Sequence, residues 1–123
     1  RHLTVMACGM MTAKALIAAE RLAAEGIEAR VVHQASLKPI DEEAIVAASR
    51  DTGRLLTVEN HSIVGGLGGA VAEVLCEKAP CRLKRLGLPD CFGESGDDEA
   101  IFDKYGCGVE GIIRAARHLV AEQ

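Results

Sequence analysis

The sequence predicts an α/β fold in which helices cover both faces of a parallel sheet. Short apolar runs alternate four times with longer segments of helical periodicity, an order typical of parallel strands joined by helical crossovers. Hydrophobic residues make up 49% of the chain and aromatic residues only 2%, so alanine and branched aliphatic side chains must fill the core. With 123 residues, the chain is expected to form one domain over residues 1–123.

The first half of the chain contains two predicted strand and helix pairs. Residues 3–8 form an apolar run typical of a strand buried on both faces. Residues 12–25 follow with helical periodicity, and the predicted buried face contains Ala15, Leu16, Ala19, Leu22 and Ala23. Residues 28–34 predict the second strand. Asp41 is expected to cap a helix over residues 41–52, which Gly53 ends.

The second half repeats this order. Residues 55–58 predict the third buried strand. The helix that follows is expected to end before Pro80. Its apolar residues that lie on one face are Leu67, Ala70, Val71, Val74 and Leu75. Residues 82–88 predict a fourth strand, nearer a sheet edge because its character alternates. Two helices, over residues 97–105 and 109–122, complete the pattern.

Charge and cysteine usage exclude several classes of protein. With 14 Lys and Arg against 18 Asp and Glu, the net charge is -4, which gives no basic footprint for nucleic acid. No stretch approaches the roughly 20 apolar residues needed to span a bilayer, so we expect a soluble, cytoplasmic protein. The cysteines are expected to be reduced thiols, Cys8 and Cys76 in the core and Cys91 and Cys107 accessible. Their irregular spacing suggests no metal site.

The densest motif is a glycine cluster at the start of the third helix, containing Gly65, Gly66, Gly68 and Gly69. Glycines there have two uses. They let a helix lie close against a strand, or they let backbone N–H groups approach an anion. The cluster fits neither the dinucleotide fingerprint nor a phosphate loop, and both uses remain open.

Glu59 and His61 follow the third predicted strand, where a parallel sheet presents its loops to ligands. A carboxylate and an imidazole can perform acid–base chemistry. Alternatively, they bond loop backbone or a partner surface. No nucleophile in a recognisable context stands beside them, because neither Ser62 nor Ser95 completes a catalytic motif. The sequence therefore predicts no catalytic, cofactor-binding or metal-binding residue.

The ordered motifs resemble the C-terminal domain of transketolase-family proteins. The resemblance spans nearly the whole chain and rests on the strand ending in Cys8-Gly9, the Leu37-Lys38-Pro39-Ile40-Asp41 turn, the run from Thr57 to Glu73, and Gly87-Leu88-Pro89-Asp90 followed by Phe92-Gly93-Glu94-Ser95-Gly96. The same superfamily includes the C-terminal domains of 1-deoxyxylulose-5-phosphate synthase and of 2-oxo acid dehydrogenase β subunits. The Glu59 to Gly69 run and the Phe92 to Gly96 run look most like the transketolase section.

The resemblance implies that the chemistry lies outside this chain. In the family, thiamine diphosphate and a divalent metal are held between two other domains across a dimer interface. The family's Gly-Asp-Gly diphosphate motif has no counterpart here, since the nearest string is Gly96-Asp97-Asp98. The resemblance thus implies no cofactor in this chain, the diphosphate- and pyrimidine-binding domains as partners, and a homodimeric parent. The resemblance also implies a three-layer α/β/α sandwich on a mostly parallel sheet, in which an antiparallel strand precedes the first strand. The absence of that strand, together with the start at Arg1, predicts a fragment of a longer enzyme.

The function implied is that of a part of a transketolase, whose parent transfers a two-carbon ketol unit between phosphorylated sugars. The chain itself would serve assembly or regulation and be inactive alone. The alternatives are a part of the synthase or of a dehydrogenase β subunit, or a free-standing module that binds a phosphate-bearing metabolite. The family's strand order brings the first and third strands together. It predicts one crevice for an anion or a partner domain, formed by Gly9, Met10, Glu59, His61, Gly65, Gly66, Gly68 and Gly69.

Overall fold

The computed structural model describes residues 2–34, 40–62, 66–88 and 104–122, with the side chains of residues 60–62 left out. Strands and helices alternate through these ranges, as predicted. In chain order they are β1 (Leu3–Ala7), α1 (Met11–Ala23), β2 (Ala29–His33), α2 (Glu42–Thr52), β3 (Arg54–Ser62), α3 (Leu67–Lys78), β4 (Arg82–Leu88) and α4 (Val109–Ala121). The helix predicted over residues 97–105 lies almost entirely outside the described residues.

The four strands form one parallel sheet in the order β2-β1-β3-β4. The chain moves outward from β1 to β2, then returns to β3 on the other side of β1 and continues to β4. Winding therefore reverses between β1 and β3, as the family order predicted. Among the described strands β4 lies at an edge of the sheet, as predicted. Within the described residues every strand pair is parallel, and an antiparallel strand is not among them.

Two apolar clusters lie on opposite faces of the sheet, so the predicted three-layer sandwich is confirmed. One cluster packs α1 and α4 against the sheet and contains Leu3, Val5 and Ala7 of β1. The other packs α2 and α3 against the opposite face and contains Met6 of the same strand. Because successive side chains of a strand point to opposite faces, β1 contributes to both clusters and is fully buried.

The termini of α2 confirm the capping prediction. The Asp41 side chain accepts a hydrogen bond from the backbone N–H of Ala44 at 3.0 Å. At the other end, Gly53 has left-handed geometry with φ 68°, and its N–H donates to the carbonyl of Ser49 at 2.8 Å. A residue without a Cβ is favoured at that angle.

The predicted buried face of α1 is partly wrong. The buried residues are Met11, Ala15, Ala18 and Leu22. Of the other predicted residues, Leu16 is 56% exposed, Ala23 is exposed and Ala19 is half-buried. These buried positions recur at intervals of three and four residues, which define one helix face. Leu16 falls outside that face, and the prediction failed because α1 carries apolar residues on both sides.

The third strand extends beyond its predicted end at Val58 and runs to Ser62. Its pairing with β4 is regular up to Val58, then shifts in register before resuming at Ser62. Glu59 therefore lies in the strand, at the start of this irregularity. Such irregularities re-aim side chains near the end of a strand.

Two of the cysteine predictions are wrong. Cys76 is exposed and Cys107 is buried, the reverse of what was expected. Cys76 lies outside the buried face of α3, which is formed by Leu67, Gly68, Val71, Val74 and Leu75. Cys107 precedes α4 and belongs to the cluster between α1 and α4. Cys8 is half-buried, and the thiols of Cys8, Cys76, Cys81 and Cys107 are all free; Cys91 lies outside the described residues.

Candidate functional site

The predicted crevice begins where the carboxyl ends of β1 and β3 lie side by side. Ala7 pairs with Val58 in the parallel ladder, so the chain after each strand starts from the same edge of the sheet. Gly9 and Met10 follow β1 and are exposed, and Gly9 has a positive φ of 59°. The strand order thus brings this turn and Glu59 to the same edge, at the point where parallel sheets commonly bind ligands or partners.

Glu59 occupies the centre of this region and is completely buried. Its Oε1 accepts a hydrogen bond from the backbone N–H of Leu67 at 2.7 Å, and its Oε2 accepts one from the N–H of Gly68 at 2.9 Å. Both groups lie in the first turn of α3. The arrangement corresponds to the alternative in which Glu59 bonds backbone.

The sequence explains why α3 needs this carboxylate. Its N-cap residue is Gly66, which has no side chain to accept a hydrogen bond from the first turn. The initial N–H groups of a helix lack partners within the helix, and a negative charge there also interacts favourably with the helix dipole. Glu59 therefore caps α3 from a neighbouring strand rather than from the residue before the helix.

Gly68 allows α3 to approach the sheet closely. A Cβ at this position would lie 2.8 Å from Cδ of Arg85 and 3.0 Å from Oγ1 of Thr57, both shorter than normal contacts. Thr57 precedes Glu59 by two residues, so both side chains point to the same face of β3. This geometry favours the close-packing alternative for Gly68, and neither Thr57 nor Arg85 was singled out from the sequence.

The other residues of the predicted crevice are described to different extents. Gly69 has open space around the position of a Cβ, so packing against described residues does not require glycine there. His61 continues the backbone of β3, and Gly65 lies outside the described residues. Glu59 thus bonds Gly68 and lies close to Gly66 at the start of α3, and the side chain of His61 lies outside the described residues.

Two thiols near Glu59 are held in their protonated form. Burial, and secondarily the negative charge of Glu59, raises the pKa of the Cys107 thiol to about 11. The same two causes raise the pKa of Cys8. Because the thiolate is the reactive species, neither cysteine is suited to act as a nucleophile near neutral pH.

These contacts limit the chemistry of the site. The first-turn N–H groups of α3 would be the natural donors to an anion, but Leu67 and Gly68 already donate theirs to Glu59. In turn, both oxygens of Glu59 are engaged in these hydrogen bonds. The arrangement is therefore suited to fixing α3 on β3 and shaping the edge of the sheet.

The described residues contain no group of three or more His, Cys, Asp or Glu side chains placed to hold a metal ion. No helix within these ranges has the length and apolar character needed to cross a bilayer.

The sequence matches the family model described as "Transketolase, C-terminal domain" over residues 1–112. It is 47% identical over 120 residues to the 6-deoxy-6-sulfo-D-fructose transketolase subunit SqwH of Clostridium sp. (strain MSTE9), covering 98% of this chain and 37% of that protein. It is 40% identical over 117 residues to the 1-deoxy-D-xylulose-5-phosphate synthase of Heliobacterium modesticaldum, covering 94% of this chain and 18% of the synthase.

A solved structure is similar over nearly the whole chain. It is described as "Split gene transketolase, inactive beta4 tetramer" and superimposes with a TM-score of 0.91 at 50% sequence identity. The match covers 97% of this chain and 39% of that chain. The present sequence therefore spans well under half the length of each of these relatives.

Proposed function

The chain belongs to the transketolase C-terminal domain family, and from this premise we propose that it is the C-terminal part of a transketolase. The parent enzyme would transfer a two-carbon ketol unit between phosphorylated sugars with thiamine diphosphate. The 47% identity to a transketolase subunit over 98% of the chain supports this assignment. Residues 1–123 form a single unit of that enzyme in this proposal.

The role of this unit is to assemble and stabilise the enzyme. The observation that carries this proposal is the buried Glu59 carboxylate, which bonds the backbone of Leu67 and Gly68. An acid–base residue needs an oxygen free to exchange a proton with substrate, and both oxygens of Glu59 are engaged. The crevice between β1 and β3 then receives a neighbouring domain of the parent.

The described residues do not fit the cofactor that the family uses. A diphosphate needs donors at a helix N-terminus or in a loop, and at α3 the N–H groups of Leu67 and Gly68 are already donated to Glu59. A metal bound to a diphosphate also needs oxygen ligands, and no such cluster lies among the described residues. We therefore assign thiamine diphosphate and its metal to the rest of the parent.

The names of the relatives support a parent built from more than one chain. One is a transketolase subunit, and the solved relative is a split-gene transketolase in an inactive β4 tetramer. We propose that the present protein likewise joins a separate subunit bearing the diphosphate site, and that it is inactive without that subunit.

The environment of the protein is proposed to be the cytoplasm, because the four described cysteines are free.

Reconstitution tests this proposal. The full-length protein from the same gene is combined with its partner subunit, thiamine diphosphate and a divalent metal, and ketol transfer between sugar phosphates is measured. We expect turnover from the complete assembly and none from the 123-residue chain. Turnover by the chain alone would show that the chemistry lies within it.

A second candidate is the synthase, supported by 40% identity to a 1-deoxy-D-xylulose-5-phosphate synthase over 94% of the chain. The same reconstituted protein distinguishes the two. Formation of 1-deoxy-D-xylulose-5-phosphate without ketol transfer would assign the chain to the synthase.

The gene sequence upstream of Arg1 tests the alternative of a free-standing module. A start codon directly before Arg1 and no partner gene would favour that alternative.

A further inference from the structure

The outer side of α1 is apolar, although it faces away from the sheet. Met10, Leu16 and Ile17 are 47%, 56% and 50% exposed and are the large hydrophobic residues left exposed in the described part of the chain. All three lie within one segment of eight residues. Ala13 and Ala24 are exposed beside them, so we define this set of five residues as the outer α1 face.

Helical spacing makes this face continuous. Met10, Ala13 and Ile17 follow one another at intervals of three and four residues and form a single line along the helix. Leu16 neighbours Ala13 at an interval of three. Glu20 and Arg21 are both exposed and charged, and they lie between Ile17 and Ala24. The first half of α1 is therefore apolar on its outer side as well as on its core side, and such a stretch is expected to be buried on both sides in its working state.

We propose that the outer α1 face is covered by the part of the parent polypeptide that precedes this chain, an inference that rests on the proposed function. The subunit that is 47% identical has most of its length outside the region matched, since this chain covers 37% of it. Because the family model is a C-terminal domain, that additional length lies on the amino side. A covering segment of sufficient size is therefore available within one polypeptide.

The size of the face favours a covalently attached partner over a second copy. A stable interface between separate proteins buries roughly 800 Å² and about 20–30 residues on each side. The outer α1 face offers three large side chains and two alanines, far fewer than that. A segment of the same polypeptide does not lose the translational freedom that separate molecules lose on binding, so a small apolar face is sufficient to hold it.

Met10 lies at the N-terminal end of this face, directly after Gly9 and close to the carboxyl end of β1. The outer α1 face therefore reaches the edge of the sheet at which the crevice is predicted. A domain seated on α1 would extend over the carboxyl edge of β1. This placement agrees with the assembly role proposed for the crevice.

Methionine oxidation tests the proposal with internal controls. Met6 and Met11 are completely buried in this structure, whereas Met10 is 47% exposed. In the 123-residue chain, hydrogen peroxide should oxidise Met10 at least about tenfold faster than Met6 and Met11, whose protection also reports that the chain is folded. In the full-length protein we expect Met10 to react as slowly as the two buried residues, at every protein concentration.

Two outcomes would overturn the proposal. Fast oxidation of Met10 in the full-length protein would show that nothing covers the face. Protection that is lost on dilution to monomers, or that appears only when a partner subunit is added, would assign the cover to another molecule. Oxidation is measured without turnover, so these results are independent of whether the protein transfers ketol units.

A pair of variants locates the contact. Ile17→Glu places a charge on the outer α1 face, and Ala47→Glu places one at an exposed position of α2. In the full-length protein, Ile17→Glu should raise the rate of Met10 oxidation about tenfold, while Ala47→Glu leaves it unchanged. Equal Met10 rates in the two variants would contradict a cover on α1.

Discussion

Glu59 holds Gly68 by a hydrogen bond of 2.9 Å between a buried carboxylate oxygen and a backbone N–H. With the 2.7 Å bond to Leu67, this contact joins the end of β3 to the first turn of α3. It supplies the cap that Gly66 cannot provide. The edge of the sheet, where the proposed interface lies, therefore depends on one charged side chain.

Replacing Glu59 by Gln should lower the free energy of unfolding by at least about 2 kcal/mol, because hydrogen bonds to a charged group contribute roughly 1.5–3 kcal/mol each. The side-chain NH2 group introduced by this substitution would also face the backbone N–H of Leu67 or Gly68, and two donors cannot form a hydrogen bond. Chemical denaturation measures the effect, and Glu43→Gln is the control because Glu43 is exposed in the first turn of α2. Equal losses in the two variants would show that the buried contacts contribute little.

Replacing the glycine at the third position of a helix by alanine should have opposite effects on stability in α4 and in α3. At Gly111 in α4, a Cβ would lie 2.1 Å from the backbone oxygen of Gly106, so Gly111→Ala should cost about 1–3 kcal/mol. At Gly69 in α3 no described atom lies within 4 Å of that position. Gly69→Ala should therefore be neutral or stabilise by up to about 1 kcal/mol. Thermal unfolding of both variants checks the expected difference in sign.

Thr57 and Thr4 are both completely buried, but they differ in hydrogen bonding. The Thr57 hydroxyl has no partner among the described residues, whereas Oγ1 of Thr4 lies 3.1 Å from Oγ1 of Thr52. An unpaired buried polar group is destabilising. Thr57→Val should thus raise the free energy of unfolding by about 1 kcal/mol, and Thr4→Val should lower it by a similar amount. A loss of stability in both variants would indicate that Thr57 has a partner in solution.

The contact that Glu25, just beyond the C-terminal end of α1, makes with α4 should depend on pH. A hydrogen bond from Arg117, supported by the positive charges of Arg117 and Arg21, holds the pKa of Glu25 below its ordinary value of 4.5. Because the folded-state pKa is the lower one, the ion pair stabilises the protein above the unfolded value and this contribution is lost as pH falls through the folded value. Arg117→Gln should return the pKa of Glu25 toward 4.5.

An NMR titration of the Glu25 carboxyl carbon measures this change. Glu25 and Arg117 are exposed, so added salt should also move the pKa of Glu25 upward by screening. The Arg21 to Glu110 ion pair between the same helices lowers the pKa of Glu110 and should persist in Arg117→Gln. An unchanged pKa of Glu25 in that variant would rule out Arg117 as the cause.

The sequence was most informative where one residue decides the local structure. Asp41 and Gly53 identify the ends of α2 because a side-chain acceptor and a left-handed glycine each have few other uses. The strand order and the pairing of β1 with β3 followed from the family resemblance. These features are local or topological and do not depend on how a particular side chain packs.

Predictions failed where tertiary contacts decide burial. Glu59 marked the end of the buried strand in the sequence, since a charged residue is rarely buried unpaired, and its partners on α3 could not be identified from spacing. Leu16 was assigned to the core because α1 has apolar residues on both sides. That ambiguity was itself a signal, because a helix of this kind has two surfaces to cover.

We propose that this chain supports assembly and carries no step of the chemistry. The most direct test of this proposal is kcat for ketol transfer by the full-length Glu59→Gln enzyme, normalised to the fraction that is assembled. We expect a kcat within about twofold of that of the unmodified enzyme, together with a smaller assembled fraction. A loss of about 10² or more in kcat with assembly intact, the size expected for an acid–base residue, would contradict the proposal.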